Sequence, residues 1–206
     1  MDEVLLGVGL GVATSLVSWW IVARFFRPRL AIIPEISKLE DDTGVAPRRY
    51  RVKVLNQRRL FLHSPAVDLQ VAVTLHIRGL RSPKNWNIFR IPTGQSGQLT
   101  YVKQNRVLRL RLYEISNTQA RLLPEPLQAA VRDGTVELES LLALGSSAHL
   151  NVVVTAAHAY TFGRTVAVQR FTTESIRLGP FDLANDRVRE LSVEERPAVQ
   201  GAQRDD

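Results

Sequence analysis

Val67-Asp68-Leu69-Gln70-Val71-Ala72-Val73-Thr74-Leu75-His76-Ile77-Arg78 alternates a large apolar residue with a polar or small one through six consecutive pairs. Successive side chains of a strand point to opposite faces, so this run predicts a β-strand with one face on a core and the other turned outward. The same period recurs on either side. Tyr50, Val52 and Val54 alternate with Arg49, Arg51 and Lys53, and Leu108, Leu110 and Leu112 alternate with Val107, Arg109, Arg111 and Tyr113. Residues 30–36 read as a short edge strand between Pro28 and the polar loop 40–47. Later, strands are expected over 150–161 and 165–172 around a hairpin tip at Phe162-Gly163-Arg164, and a last one over 174–178. Between them, Pro124 and Pro126 ahead of LQAAVRDG predict a short helix ending at Gly134, and Leu138, Leu141, Leu142 and Leu144 a second helical turn. About seven short antiparallel strands with one apolar face predict an all-β sandwich of immunoglobulin type with one or two short helices.

The start of the chain has a different texture. Residues 4–23, VLLGVGLGVATSLVSWWIVA, contain neither charge nor proline, and about 20 helical residues cover the 30 Å of a bilayer's hydrocarbon. Trp19 and Trp20, followed by Phe25 and Phe26, suit the aromatic belt of a membrane interface. Asp2 and Glu3 stand where a signal peptide needs basic residues, so a transmembrane anchor over 1–26 is the expectation. Arg24, Arg27 and Arg29 crowd its C-terminal flank. The positive-inside rule then puts the N-terminus outside and the rest of the chain in the cytoplasm, in the inner (cell) membrane of a bacterium if the arginine-rich, lysine-poor composition indicates the source. Gly7, Gly11 and Ser15 recur every four residues and line one helix face. They are either a close-packing face for another membrane helix, from a partner or a second copy, or the ordinary small-residue content of such helices.

Averaged over 206 residues the chain is +7, but the charge is unevenly placed. Residues 25–185 hold 22 basic against 12 acidic side chains, whereas 186–206 hold four against six and lack an apolar period. The organisation is therefore an anchor over 1–26, a basic sandwich over 27–185 and a disordered tail over 186–206. Arg24, Arg27 and Arg29 sit where anionic lipid headgroups would meet them. Arg49, Arg51, Lys53, Arg109 and Arg111 either extend that patch or form an ordinary solvated sheet face.

Few residues point to chemistry. With no cysteine there is no disulfide, thiolate metal site or cysteine nucleophile. His63, His76, His149 and His158 are isolated, and no metal-ligand spacing, phosphate loop or nucleophile elbow occurs. Glu137 and Glu139 form a carboxylate pair without a cleft legible in the sequence. No recognition helix or stacking motif for nucleic acid is present. The expectation is a non-enzymatic chain without cofactor or metal, the alternative being a membrane-tethered enzyme whose site is assembled from scattered residues. In 81–97, Trp86, Ile88 and Phe89 are large apolar residues in an otherwise polar connection. They are either a protein-binding hot spot or side chains folded back on the core.

Residues 150–181, LNVVVTAAHAYTFGRTVAVQRFTTESIRLGPF, carry Gly163, Arg170, Phe171, Ile176, Gly179 and Phe181 in an order that resembles the cytoplasmic domain of inward-rectifier potassium channels. Arg51 to Asn56, followed by Val67 to Leu75, is similar to that family's strand ending in asparagine and the long strand after it. The resemblance implies an immunoglobulin-like (E-set type) domain held beneath a membrane, and a role as accessory subunit of a channel or transporter. It does not extend to the pore, because that family's second membrane helix and filter have no counterpart here. Together these features predict a single-pass, membrane-anchored binding, scaffold or regulatory module whose partners are membrane lipids and another membrane protein or itself.

Overall fold

A computed structural model describes residues 2–25, 29–39, 49–57, 66–80, 82–94, 98–102, 105–158, 163–182 and 187–189, without the side chains of 2–6, 23–25, 98–102 and 158. The loop at 40–47, the hairpin tip at Phe162 and residues 190–206 of the expected tail lie outside the described residues.

The described strands form two sheets. In the first, β6 (Asn105–Leu110), β2 (Arg49–Gln57), β1 (Arg29–Leu39) and β9 (Ile176–Leu178) lie side by side in that order. In the second, β4 (Trp86–Arg90) and β5 (Gln98–Val102) share one edge of β3 (Ala66–Arg78), whose other edge pairs with β7 (Ser147–His158) and then β8 (Arg164–Phe171). The inner faces enclose one core, with Tyr50, Val52 and Val54 from β2, Leu69, Val73, Leu75 and Ile77 from β3, and Leu150, Val152 and Val154 from β7. This is a β-sandwich, and the alternation in the sequence marks most of its inward side chains.

β4 and β5 fall where no strand was expected, β9 covers only Ile176–Leu178 of the expected 174–178, and three further strands depart from expectation. β1 is longer than 30–36 and is not an edge, since β2 flanks it antiparallel and β9 parallel. That parallel pair also breaks the wholly antiparallel pattern. β1 absorbs extra residues around Pro34, with Ile32 opposite Val54 and Ile36 opposite Val52, because proline has no N–H for the ladder. In β3, Val67 faces Ala157 while Gln70 faces Thr155, so one extra residue is accommodated at Asp68, whose φ is 50°. Aspartate tolerates this left-handed conformation better than most residues. The bulge turns Ala66 and Leu69 inward and leaves Val67 only half-buried. In the third, β6 stops at Leu110, and Leu112 belongs to a short 3-10 turn (Leu112–Glu114) although it is still buried.

The crossover from β6 to β7 is helical. α2 (Asn117–Ala120), not foreseen from the sequence, is capped by Ser116 Oγ accepting from the Gln119 N–H at 3.4 Å. α3 (Glu125–Arg132) has Pro126 in its first turn, and α4 (Leu138–Leu142) leads to Gly145. Gly145 has φ 67°, and a Cβ there would lie 2.1 Å from the Arg78 carbonyl oxygen, so the chain passes β3 too closely for any side chain. α4 is fastened to the first sheet by the fully buried Tyr50. Its hydroxyl accepts from the Leu138 N–H at 3.1 Å and donates to Glu139, whose other carboxylate oxygen is 2.7 Å from Lys38 Nζ. Burial alone would raise the Glu139 pKa, but the Lys38 and Tyr50 hydrogen bonds outweigh it and hold the carboxyl below its usual range. Glu139 is thus a structural tie between α4 and the first sheet.

The fold also extends past the expected boundary at 185. Phe181 and Val188 form a β-bridge, and the Val188 N–H donates to Glu35 Oε2 at 2.7 Å. Arg187–Arg189 therefore belongs to the sandwich and not to a tail.

α1 (Asp2–Phe25) is a 24-residue helix whose side chains from 7 to 22 are all exposed. Among the described residues, no helix is long and apolar enough to cross a membrane, so the transmembrane expectation is not supported on that measure. The neutral run 4–23 reaches beyond residues 7–22, whose side chains are the ones described.

Candidate functional site

The outward positions of the second sheet assemble a cluster that the sequence shows only as scattered residues. β3 and β7 pair so that His76 stands directly opposite His149, and β3 and β4 pair so that Ile88 stands opposite His76 and Trp86 opposite Arg78. The two imidazoles stack with centroids 5.0 Å apart and planes 14° from parallel. Trp86 meets both rings edge-on, at 5.3 Å from His149 and 6.4 Å from His76. His76 Nε2 lies 3.0 Å from Thr74 Oγ1, and Arg170 Nη2 lies 2.9 Å from His149 Nδ1.

That last contact fixes the chemistry of His149. A guanidinium can only donate, so Nδ1 carries the lone pair and the ring is neutral with its proton on Nε2. Burial, the Arg170 charge and His76 all lower the pKa of His149. The pair is poorly arranged to hold a metal ion, since near-parallel stacked rings do not aim their in-plane lone pairs at a common point and a guanidinium already occupies one nitrogen. No group of three or more metal-ligating side chains occurs among the described residues.

Around the histidines the sheet face is apolar and basic. Trp86, Ile88, Val166 and Val168 are 44%, 53%, 59% and 64% exposed. Arg78, Arg90, Arg164 and Arg170 flank them, and Arg170, Asn151, Thr74 and Arg90 form one continuous row across four strands. Among the described residues, the outward positions of β4, β7, β8 and β3 beyond its bulge contain no carboxylate. Neither protein-family models nor curated proteins give a significant match to this chain. The site therefore has to be interpreted from its own geometry.

Of the hot-spot residues expected from the sequence, Trp86 and Ile88 belong to this face. Phe89 does not. It is fully buried opposite Leu75, because residues 86–90 form a strand rather than a loop and adjacent side chains must point to opposite faces. Gly7, Gly11 and Ser15 lie along the exposed α1 helix, with nothing within 4 Å of a Cβ built at either glycine, and Ser15 Oγ donates to the Gly11 carbonyl at 2.8 Å. Arg29 is exposed at the start of β1 opposite Gln57, while the side chain of Arg24 and all of Arg27 lie outside the described residues.

The alternation already turned His76 outward, whereas His149 lies one residue before the expected strand 150–161 and is nearly buried in the structure. Their convergence depends on a pairing register between strands some seventy residues apart, and no local motif encodes it. His63 lies outside the described residues, and of His158 only the backbone is described. Arg49, Arg51, Lys53 and Arg109 do not form a simple solvated stripe. Lys53 is buried, with its Nζ 3.2 Å from the Asp182 carbonyl oxygen. The pKa of Arg51 is lowered by burial and by the neighbouring Arg109 and Arg49 charges.

Proposed function

We propose that this chain is a membrane-anchored, non-enzymatic binding module whose partner-facing surface is the outer face of the second sheet. The carrying observation is the set of exposed apolar side chains, Trp86, Ile88, Val166 and Val168, on a face whose flanking charges among the described residues are positive. Aromatic and arginine side chains are the usual anchors of protein interfaces. Basic residues oppose basic ones, so the face favours a partner carrying carboxylates over a second copy of itself.

Anchoring rests on α1. Residues 4–23 carry no charge, and about 20 neutral helical residues match the hydrocarbon thickness of a bilayer. In this reading the N-terminus is outside, the sandwich is cytoplasmic and immunoglobulin-like, and Arg24, Arg27 and Arg29 contact anionic headgroups. A second reading, accessory subunit of a channel or transporter, is favoured by the open face of Gly7, Gly11 and Ser15 on α1.

Alkaline extraction of membranes tests the anchor. The full chain should stay in the pellet, and Val12→Lys with Leu16→Lys should release it. Wild-type chain in the supernatant would remove the anchor, the lipid contact and the subunit reading together. Site-specific photocrosslinkers at Ile88 and Val168 should capture a defined polypeptide and lose it in Arg170→Glu, whereas capture from exposed Gln57 equal to that from Ile88 would count against the face.

A further inference from the structure

His149 and Arg170 satisfy each other in a way that depends on a single proton. Arg170 Nη2 donates to His149 Nδ1 at 2.9 Å, and a guanidinium has no acceptor to offer in return. If a proton adds to Nδ1, that nitrogen becomes a donor, the hydrogen bond is lost and two cations stand side by side. Among the described residues, the outward positions around the pair supply no carboxylate to compensate them. Of the elements packed on β7, β3 brings His76 and Arg78 to this face and β8 brings Arg170, while β4 lies one strand further with Arg90. Glu139 of α4 is held by Lys38 and Tyr50. Glu174, the acid nearest to Arg170 along the chain, is exposed in the 3-10 turn Thr173–Ser175 beyond β8. The imidazole itself is enclosed, since His149 is only 7% exposed, with His76 stacked on it and Trp86 meeting it edge-on. Arg170 is exposed, so the guanidinium is the part that can turn away.

We propose that His149 and Arg170 form a proton-gated carboxylate site on the docking face. With the imidazole neutral, Arg170 rests on it and the site is closed. When Nδ1 takes a proton from solution, Arg170 turns outward and a carboxylate of the partner enters between the two groups. It accepts from the new Nδ1–H and from the guanidinium together, in charge-assisted hydrogen bonds. A carboxylate suits this gap because it is acceptor-only, has two oxygens and carries the charge that both donors lack. Binding is therefore coupled to the uptake of one proton. The bound carboxylate favours the imidazolium, so His149 keeps its proton to a higher pH in the complex than in the free chain. Affinity then rises as pH falls between those two titration points and is level below both. The inference rests on the reading of this face as the surface that meets an acidic partner.

The test uses the full chain in a non-ionic detergent and a peptide Asp-Leu-Asp-Val-Asp blocked at both ends. Its aspartates stay ionised down to about pH 5. Between about pH 7.5 and 5 the affinity by calorimetry should rise about tenfold or more, one unit of difference in pKa being worth a factor of about ten. The NMR titration midpoint of His149 should also move upward when the peptide saturates the chain. His149→Gln keeps an acceptor for Arg170 but takes up no proton, and its affinity should not change with pH. His76→Gln should keep the dependence. Both variants are checked for unchanged thermal unfolding, and the midpoint shift in the wild-type chain decides the matter if His149→Gln does not fold. Equal binding at both pH values, a midpoint that saturation leaves in place, or a dependence that survives in His149→Gln overturns the gate and leaves the docking face standing. A peptide that binds at neither pH overturns the acidic-partner reading as well.

Discussion

The two sheets of this sandwich present their outer faces to different surroundings. Over the first sheet runs the segment from Gly179 to Asp182 with Arg187–Arg189. Ser37 Oγ donates to the Gly179 carbonyl, Lys53 Nζ reaches the Asp182 carbonyl, and Val188 N–H donates to Glu35. Ile33, Leu55 and Val188 are buried outside the main core. The second sheet has no such cover among the described residues, and Trp86, Ile88, Val166 and Val168 remain open. Apolar side chains occur on both outer faces, so composition does not separate them. Whether a later stretch of chain returns to cover the face does, and the surface proposed for partner binding is the face left open among the described residues.

The sharpest way to break this comparison lies within β4. Phe89→Ala opens a cavity in the core and should cost about 3–5 kcal/mol in a guanidinium melt. Ile88→Ala, one residue away on the open face, should stay within about 0.5 kcal/mol while weakening partner capture. Equal costs at the two positions would mean that the outer face is covered in solution.

A smaller effect tests the cover of the first sheet. Val188→Ala should destabilise by about 1–2 kcal/mol, as for a partly relieved apolar cavity, although it lies beyond the last strand. No change would mean that the C-terminal segment does not hold its place. Tyr50→Phe should cost about 1–3 kcal/mol, because it leaves the Leu138 N–H without its acceptor and removes one support of the Glu139 carboxylate.

The mildest effects are in pH dependence. In the unfolded chain His149 titrates near 6.5, and in the fold its pKa is lower. The unfolded state therefore takes up the proton first as pH falls below about 6.5. This group leaves stability untouched above that value and lowers it between there and the folded pKa. Glu139 has the opposite sense. Its tie to Lys38 and Tyr50 stabilises the fold above about 4.5, and that contribution fades as pH drops toward its depressed pKa. NMR titration of His149 should give a midpoint below 6.5 that rises in Arg170→Gln. A midpoint unmoved by that change would mean that the guanidinium does not hold the ring.

Strand alternation made β2 and β3 and most of their inward side chains legible without any structure, because a half-buried strand has to repeat with a period of two, and it located β7 and β8, although in β8 the apolar Val166 and Val168 turn outward. The short helices were partly legible through Pro126, Gly134 and Gly145, whose backbone limits act locally. The bulge at Asp68 was not, since it is defined by what β7 does opposite it. β1 looked like an edge because Pro34 interrupts it, and its place between two neighbours depended on β9 arriving from the far end of the chain. Phe89 shared a polar stretch with Trp86 and Ile88, and only the strand geometry turned it inward.

The sequence by itself determined the neutral run at 4–23, the basic surplus of residues 25–185 and the strand period, all of which are properties of neighbours along the chain. Tertiary structure decided the rest. The His76–His149 stack, the Trp86 edge contacts, the Arg170 hydrogen bond and the burial of Lys53 each join residues far apart in sequence. Such contacts depend on register and on the course of the returning chain, which no local pattern encodes.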